Sequence, residues 1–356
     1  MFPRVELLNN HWEICRKRLL LMAHGFEQRT FSFLESECDA IFSDAVVYEY
    51  STSPHDKAEN DRLVGILKSK MQNGGNIDYL QFNRFVPSEF EFRLRQLMTS
   101  ITNNYQEIVI DISVMSKLLI MITVWMLKEF RGTIKIVYSE PHEYWPSKAD
   151  FEKKQSDFGD SLEDLVSLPS FGVHDVVRTP ELTSVIMQQC PNIVIAFTSF
   201  NELLIRALMS SISPMHFFLI SSVPPRLGWR EDATLKLHEK LLEDFITDNP
   251  RNCNSKLVRR CSTLQYSETF NMLAEIYAKY CYEYRIILAP TGSKMQALGC
   301  ALIKCCCPDV HIEYPTPESY FKKKFSSLRQ EAIHQVCFEH FSDFLDMTSK
   351  GSHLNG

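Results

Sequence analysis

The residues best suited to chemistry lie in one turn, Ala289-Pro290-Thr291-Gly292-Ser293-Lys294. It separates a β-rich run at 285–288 from a helical stretch at 295–305. Two hydroxyls, a glycine and a lysine at the mouth of a helix suit an anion. Backbone N–H groups and the helix dipole would face it, and Lys294 would add a point charge. The same residues also suit a plain N-cap, because Ser and Thr close helix ends routinely. A related turn lies upstream, Asp111-Ile112-Ser113-Val114-Met115-Ser116-Lys117, ahead of an apolar helical stretch at 118–128. Ser113, Ser116 and Lys117 are its counterparts, without the glycine.

Other polar residues follow predicted strands. Glu27 and Arg29 come after the run at 18–23 and could hold a ribose or base edge and a phosphate, or stand as an exposed pair without mutual contact. Phe200, Asn201 and Glu202 occupy the matching place after the run at 192–197. Arg226 and Arg230 follow the strand at 216–221 and a double proline; they reach a phosphate or sit on a stiff surface loop. Glu140, His142 and Glu143 cluster after the strand at 133–138, where acid–base work would need a further convergent group. Tyr138 and Tyr314 could stack a base or belong to the core.

The elements that would position these groups alternate strand and helix in two rounds. The first runs 18–23, 31–38 (helix), 45–50, 61–71 (helix), 77–82, 89–101 (helix), 107–112, 118–128 (helix) and 133–138. The second runs 192–197, 203–210 (helix), 216–221, 232–245 (helix), 257–260, 267–280 (helix), 285–288, 295–305 (helix) and 310–314; a closing helix is expected at 325–345. The two rounds overlay. Lys117 to Tyr138 is 21 residues and Lys294 to Tyr314 is 20, and both stretches end in Tyr-x-x-Pro-x-x-Tyr (YSEPHEY, YPTPESY). The expectation is an α/β protein of two tandem Rossmann-like domains with mostly parallel sheets, related by a pseudo-twofold axis. The expected boundaries are 1–146 and 190–324 for the two domains, 147–189 for a linker or insertion with an acidic patch (Asp157, Asp160, Glu163, Asp164), and 325–356 for a C-terminal helix and tail. Lys117 and Lys294 would then face a shared crevice.

Composition narrows the function classes. The chain has 356 residues, is 45% hydrophobic and carries a net charge of −6, so no footprint for duplex nucleic acid is expected. Lys322-Lys323-Lys324 reads as a solvated helix start. Eleven cysteines in an odd count lack zinc spacing and read as small apolar residues of a reducing compartment. The N-terminus has no uninterrupted apolar core, and the run at 118–127 is about half a membrane span, so no membrane segment is expected and the protein is read as cytoplasmic. No G-x-S-x-G, H-E-x-x-H, Walker or G-x-G-x-x-G motif occurs; no metal ligand set and no cofactor are expected.

The turn Ala289-Pro290-Thr291-Gly292-Ser293-Lys294-Met295 resembles that of the CRISPR-associated Rossmann fold (CARF) and its relatives, N-x-T-G-G-T-K-x-M between a strand and a helix. Asp111–Lys117 is similar to it in degraded form. The resemblance implies binding of cyclic oligonucleotides or related nucleotides through Thr291, Gly292, Ser293 and Lys294, and through Ser113, Ser116 and Lys117. It further implies a receptor or regulatory subunit, with an effector in a partner chain, in bacterial antiviral defence. A nucleotide-processing enzyme at the same place, and an interaction protein that has lost its ligand, are the alternatives.

Overall fold

The computed structural model describes residues 2–13, 17–51, 57–158, 170–248, 258–320 and 330–351. Lys322–Lys324, and Asp160, Glu163 and Asp164 of the acidic patch, lie outside them. The chain divides into two compact units. One comprises Met1–Tyr144 with Ser326–Met347, the other Trp145–Phe325 with Thr348–Gly356.

The first unit is built on β1 (Glu6–Leu7), β2 (Arg18–His24), β3 (Asp44–Tyr50), α1 (Lys57–Ser69), β4 (Ile77–Phe82), α2 (Ser88–Asn104), β5 (Glu107–Asp111), α3 (Lys117–Met126) and β6 (Thr133–Pro141). Its seven-stranded sheet runs β1, then the late strand Gln330–Phe338, then β6-β5-β2-β3-β4. The five strands from β6 to β4 are parallel. Every residue of β2 and β5 is buried, which is why they read as unbroken apolar runs. Helix α3 is apolar all round and buried from Leu118 to Val124, so its hydrophobicity belongs to a core. None of the described helices is long and apolar enough to cross a membrane.

The second unit contains α4 (Lys148–Phe158), β7 (Ser170–Phe171), β8 (Asp175–Val177), β9 (Asn192–Phe197), α5 (Glu202–Ile212), β10 (His216–Val223), α6 (Trp229–Asp248), β11 (Val258–Ser262), α7 (Tyr266–Tyr280), β12 (Arg285–Ala289), α8 (Lys294–Cys306), β13 (His311–Ile312), β14 (Tyr314–Thr316) and β15 (Ser319–Tyr320). Its main sheet is all parallel, in the order β11-β10-β9-β12-β13. Taken from the far edge, both sheets place their strands in the order third, second, first, fourth, fifth. The registers match as well: Met22 pairs with Asp111 in one sheet, and Ala196 with Ala289 in the other. Both units are Rossmann-like α/β folds.

Two expectations fail. Residues 31–38 form turns after a 3-10 helix at Gln28–Thr30 and do not form an α-helix. Phe31, Phe33, Leu34 and Cys38 are all buried, and the segment is held by turn hydrogen bonds such as Ser36 N–H to Phe33 O at 3.2 Å. The closing helix is instead β16 (Gln330–Phe338) followed by α9 (Phe341–Gly351). Ile333, Val336, Cys337, Phe341, Phe344 and Leu345 fall at helical spacing, but Gln330–Phe338 lies antiparallel to β6 and takes its conformation from that partner.

Candidate functional site

Each sheet reverses its strand order between two neighbouring strands, β2 and β5 in one and β9 and β12 in the other. Open parallel sheets bind ligands outside the carboxyl ends of such strands. The turns there span 25–29, 112–117, 198–201 and 290–294. They carry Glu27, Arg29, Ser113, Ser116, Lys117, Asn201, Thr291, Gly292, Ser293 and Lys294. Arg226 lies beyond β10, exposed, in a loop outside this set.

In the second unit the hydroxyls are bound into the fold. Thr291 Oγ1 accepts from Phe197 N at 2.9 Å and donates to Phe197 O at 2.6 Å, joining the turn to the end of β9. Ser293 is the N-cap of α8. Its Oγ accepts from Gln296 N at 3.0 Å and donates to Thr263 O at 2.6 Å, while Gln296 Oε1 accepts from Ser293 N at 2.8 Å. This is a capping box with Gln at the third helical position. A Cβ on Gly292 would collide with Gln296 Oε1 and lie 2.8 Å from Phe197 Cβ, so the glycine is required by close approach. Behind the turn, Ser222 Oγ shares its one proton between Gln296 Oε1 at 3.2 Å and Thr198 O at 3.1 Å, and Thr234 Oγ1 donates to Thr198 Oγ1 at 3.2 Å. Asn201 is buried as the N-cap residue of α5.

The first unit uses different atoms to the same end. Ser113, fully buried, bonds the Asp111 carboxylate through its N–H and its Oγ, and Ser113 Oγ accepts from Ser139 N at 2.8 Å. Ser116 caps α3 by accepting from Leu119 N at 3.2 Å. Tyr50 ties this turn down: its hydroxyl accepts from Ser116 N at 2.7 Å and donates to Val114 O at 3.0 Å. Glu27 and Arg29 do not form an exposed, unconnected pair. Arg29 bonds Glu27 Oε2 through Nη2 at 2.6 Å and Nε at 3.1 Å, with its side chain 6% exposed, and donates from Nη1 to Ser139 O at 2.8 Å. Burial opposes the guanidinium's charge, but Glu27 with Tyr138 more than offsets it and the Arg29 pKa is raised. Glu27 is the extended N-cap residue of the 3-10 helix that carries Arg29.

One electrostatic feature sets these two turns apart. Among the described residues there are nine α-helices, and seven have an acidic residue in the first turn: Glu59, Glu89 and Glu91, Asp150, Glu202, Glu231 and Asp232, Glu268, and Asp343. Only α3 and α8 have none, and each opens on a half-buried lysine, Lys117 or Lys294. A cation at the positive end of a helix dipole is unfavourable by about 0.3–1 kcal/mol and reinforces a field that attracts anions.

The cluster expected at 140–143 is rearranged. His142 and Glu143 are exposed, whereas Glu140 Oε2 meets His334 Nε2 of β16 at 3.1 Å. Tyr138 stacks on His334 at 6.4 Å and bonds Tyr144 through the hydroxyls at 2.7 Å. Tyr314 is buried and pairs with Val177. Sequence reasoning missed Tyr50, Gln296, Thr198 and Ser222. Gln296 alone had a local signal, three residues after a capping serine. Among the described residues no group of three or more His, Cys, Asp or Glu could hold a metal ion.

No known family model matches the chain, and no curated protein matches it. Solved structures do. A type III CRISPR defence DNA nuclease activated by cyclic oligoadenylate matches with a TM-score of 0.44 at 9% identity, over 83% of this chain; the chain spans only 65% of the length of that nuclease. The cytoplasmic domain of a prokaryotic cation chloride cotransporter matches with a TM-score of 0.25 at 10% identity, over 88% of this chain and 98% of that one. A predicted O-methyltransferase from Agrobacterium tumefaciens matches with a TM-score of 0.19 at 8% identity, over 46% of this chain and 65% of that one.

Proposed function

We propose that this chain is a nucleotide-sensing receptor or regulatory subunit that binds an anionic ligand at the carboxyl ends of its sheets. The observation that carries this reading is the pair of helices α3 and α8. Both start where a sheet reverses its strand order, both lead with lysine, and both lack the first-turn carboxylate present in the other described α-helices. The common strand order and register of the two sheets support an origin by internal duplication, with domains at 1–146 and 190–324 joined by 147–189. The similarity of 289–295 to the CARF turn supports an oligonucleotide, linear or cyclic, as ligand. It also supports a cytoplasmic role in antiviral defence beside an effector chain. The contacts would come from Lys294, Lys117 and backbone N–H groups at the two helix starts; the hydroxyls of Thr291, Ser293, Ser113 and Ser116 fasten the turns to the fold.

Thermal-shift screening with linear and cyclic oligoadenylates and mononucleotides tests this. A stabilising shift in the wild type that is lost in Lys294→Ala is expected. The absence of any shift at saturating nucleotide would sink the reading. A ligand-free interaction subunit is the second reading; Tyr50, which already accepts the Ser116 N–H, favours it for the first turn. It predicts that Lys117→Ala leaves every nucleotide affinity unchanged.

A further inference from the structure

Beside the turn after β9, the second unit assembles two aromatic rings and a guanidinium. Phe200 is 6% exposed, and its ring centre lies 6.0 Å from that of Trp229, the first residue of α6. The Arg230 guanidinium sits 4.3 Å from the Phe200 ring centre and 5.3 Å from that of Trp229. The platform is braced from behind. Glu231, next in the chain, takes both Arg260 bonds at 2.6 Å and a third from Ser221 Oγ at 3.0 Å. Aromatic faces stack nucleobases and arginine holds phosphate; here Phe200 stands in the turn after β9, where the sheet reverses its order, and Trp229 and Arg230 follow the neighbouring strand β10.

The chain itself occupies these groups. Phe151 of α4 packs edge-on against Phe200 at 5.9 Å and tilted against Trp229 at 5.8 Å. Arg230 donates to Pro146 O at 2.9 Å and to Trp145 O at 3.3 Å, just ahead of that helix. Between Lys148 and Lys153, Phe151 is the one buried residue of α4, while Lys148, Ala149, Glu152 and Lys153 are exposed. A polar helix is therefore held by a ring in an aromatic slot and by two carbonyl oxygens on a guanidinium. The ring lies edge-on and tilted in a slot completed by Ala233 and Leu237, where a flat base could instead stack, and the carbonyl oxygens stand where phosphate oxygens would.

We infer that α4 is a displaceable plug in a nucleotide subsite. Phe151 occupies the place of a nucleobase on Phe200 and Trp229, and the carbonyls of Trp145 and Pro146 occupy the place of phosphate oxygens on Arg230. The inference rests on the receptor reading above and adds to it a location for one base and phosphate and a segment that moves when they bind. Ligand binding frees α4, and the release of a helix is a signal that a partner chain can read.

The probe is adenosine 5′-monophosphate, and the protein is the full chain. Hydrogen–deuterium exchange with and without saturating probe is expected to show faster exchange of the 148–158 amides in the bound state. Phe151→Ala is expected to bind the probe about tenfold more tightly than wild type, because the plug no longer competes, and adding Arg230→Ala is expected to abolish the gain. Phe151→Leu, which keeps the slot apolar, is expected to give a smaller gain in the same direction and serves if the alanine variant does not fold. Probe binding with unchanged or slower exchange at 148–158, and wild-type affinity in both Phe151 variants, overturns the plug and leaves the receptor reading intact. No binding of the probe to wild type or to either Phe151 variant, with circular dichroism unchanged, overturns the subsite, and the receptor reading falls with it only if the linear and cyclic oligoadenylates also give no thermal shift.

Discussion

Ser293 and Gln296 cap each other: the serine oxygen accepts the glutamine N–H at 3.0 Å, and the glutamine amide oxygen accepts the serine N–H at 2.8 Å. Losing a cap of this kind costs about 0.5–2 kcal/mol. Ser293→Ala is expected to lower unfolding stability by about 1 kcal/mol in urea titration. Gln296→Ala is expected to cost more, because it also removes one of the two acceptors of the Ser222 hydroxyl, which is left with Thr198 O alone. Equal losses in the two variants would show that the Ser222 bond adds nothing.

Glu27 and Arg29 form a buried ion pair, side chains 11% and 6% exposed. Removing one partner strands the other's charge in the interior, at a cost of about 3–5 kcal/mol. Glu27→Gln is expected to destabilise severely, and Glu27→Gln with Arg29→Met to recover much of the loss. A double-mutant cycle under denaturant measures the coupling, and a value near zero would contradict the pairing.

His238 is fully buried, and its Nδ1–H donates to Thr234 O at 2.7 Å. Burial pushes its pKa down from the ordinary 6.5 to about 4. The unfolded chain then binds the proton more readily than the folded one between those values. Stability from this group is complete above pH 6.5 and is lost as pH falls toward 4, by about 3 kcal/mol in all. His238→Asn keeps a donor for Thr234 O without titrating. The stability difference between pH 7 and pH 4.5 is expected to be smaller in this variant than in wild type.

Lys117 and Lys294 separate stability from binding. Replacing either with Glu puts a carboxylate at a helix N-terminus, which favours the helix by about 0.3–1 kcal/mol. Under the receptor reading, Lys294→Glu is expected to raise the melting temperature slightly while weakening nucleotide affinity at least tenfold in calorimetry. Unaltered affinity together with raised stability would mean that the lysine does not serve a ligand.

The strands at 18–24, 107–111, 192–197 and 285–289 were legible because parallel strands buried on both faces are continuous apolar runs. The lysine-led turns were legible as helix starts. What Thr291 and Ser113 bond to was not, because Phe197 and Ser139 are 94 and 26 residues away. The helix expected at 325–345 illustrates the same limit: its apolar spacing suits a helix, and pairing with β6 overrode it over Gln330–Phe338, while 325–329 lie outside the described residues. The plug was likewise invisible, since Phe151, Phe200 and Trp229 are distant in sequence and 147–189 reads as a break in the strand–helix rhythm.

By itself, the sequence determined local conformation and class: alternating strands and helices, parallel sheets, and two hydroxyl-and-lysine turns opening helices. These depend on side chains within one or two turns of each other. Only the tertiary structure decided that the hydroxyls are fastened to neighbouring strands, that Glu27 and Arg29 are paired in the interior, and that Phe151 fills the slot between Phe200 and Trp229. Those outcomes are set by which strands lie side by side, a property of long-range packing.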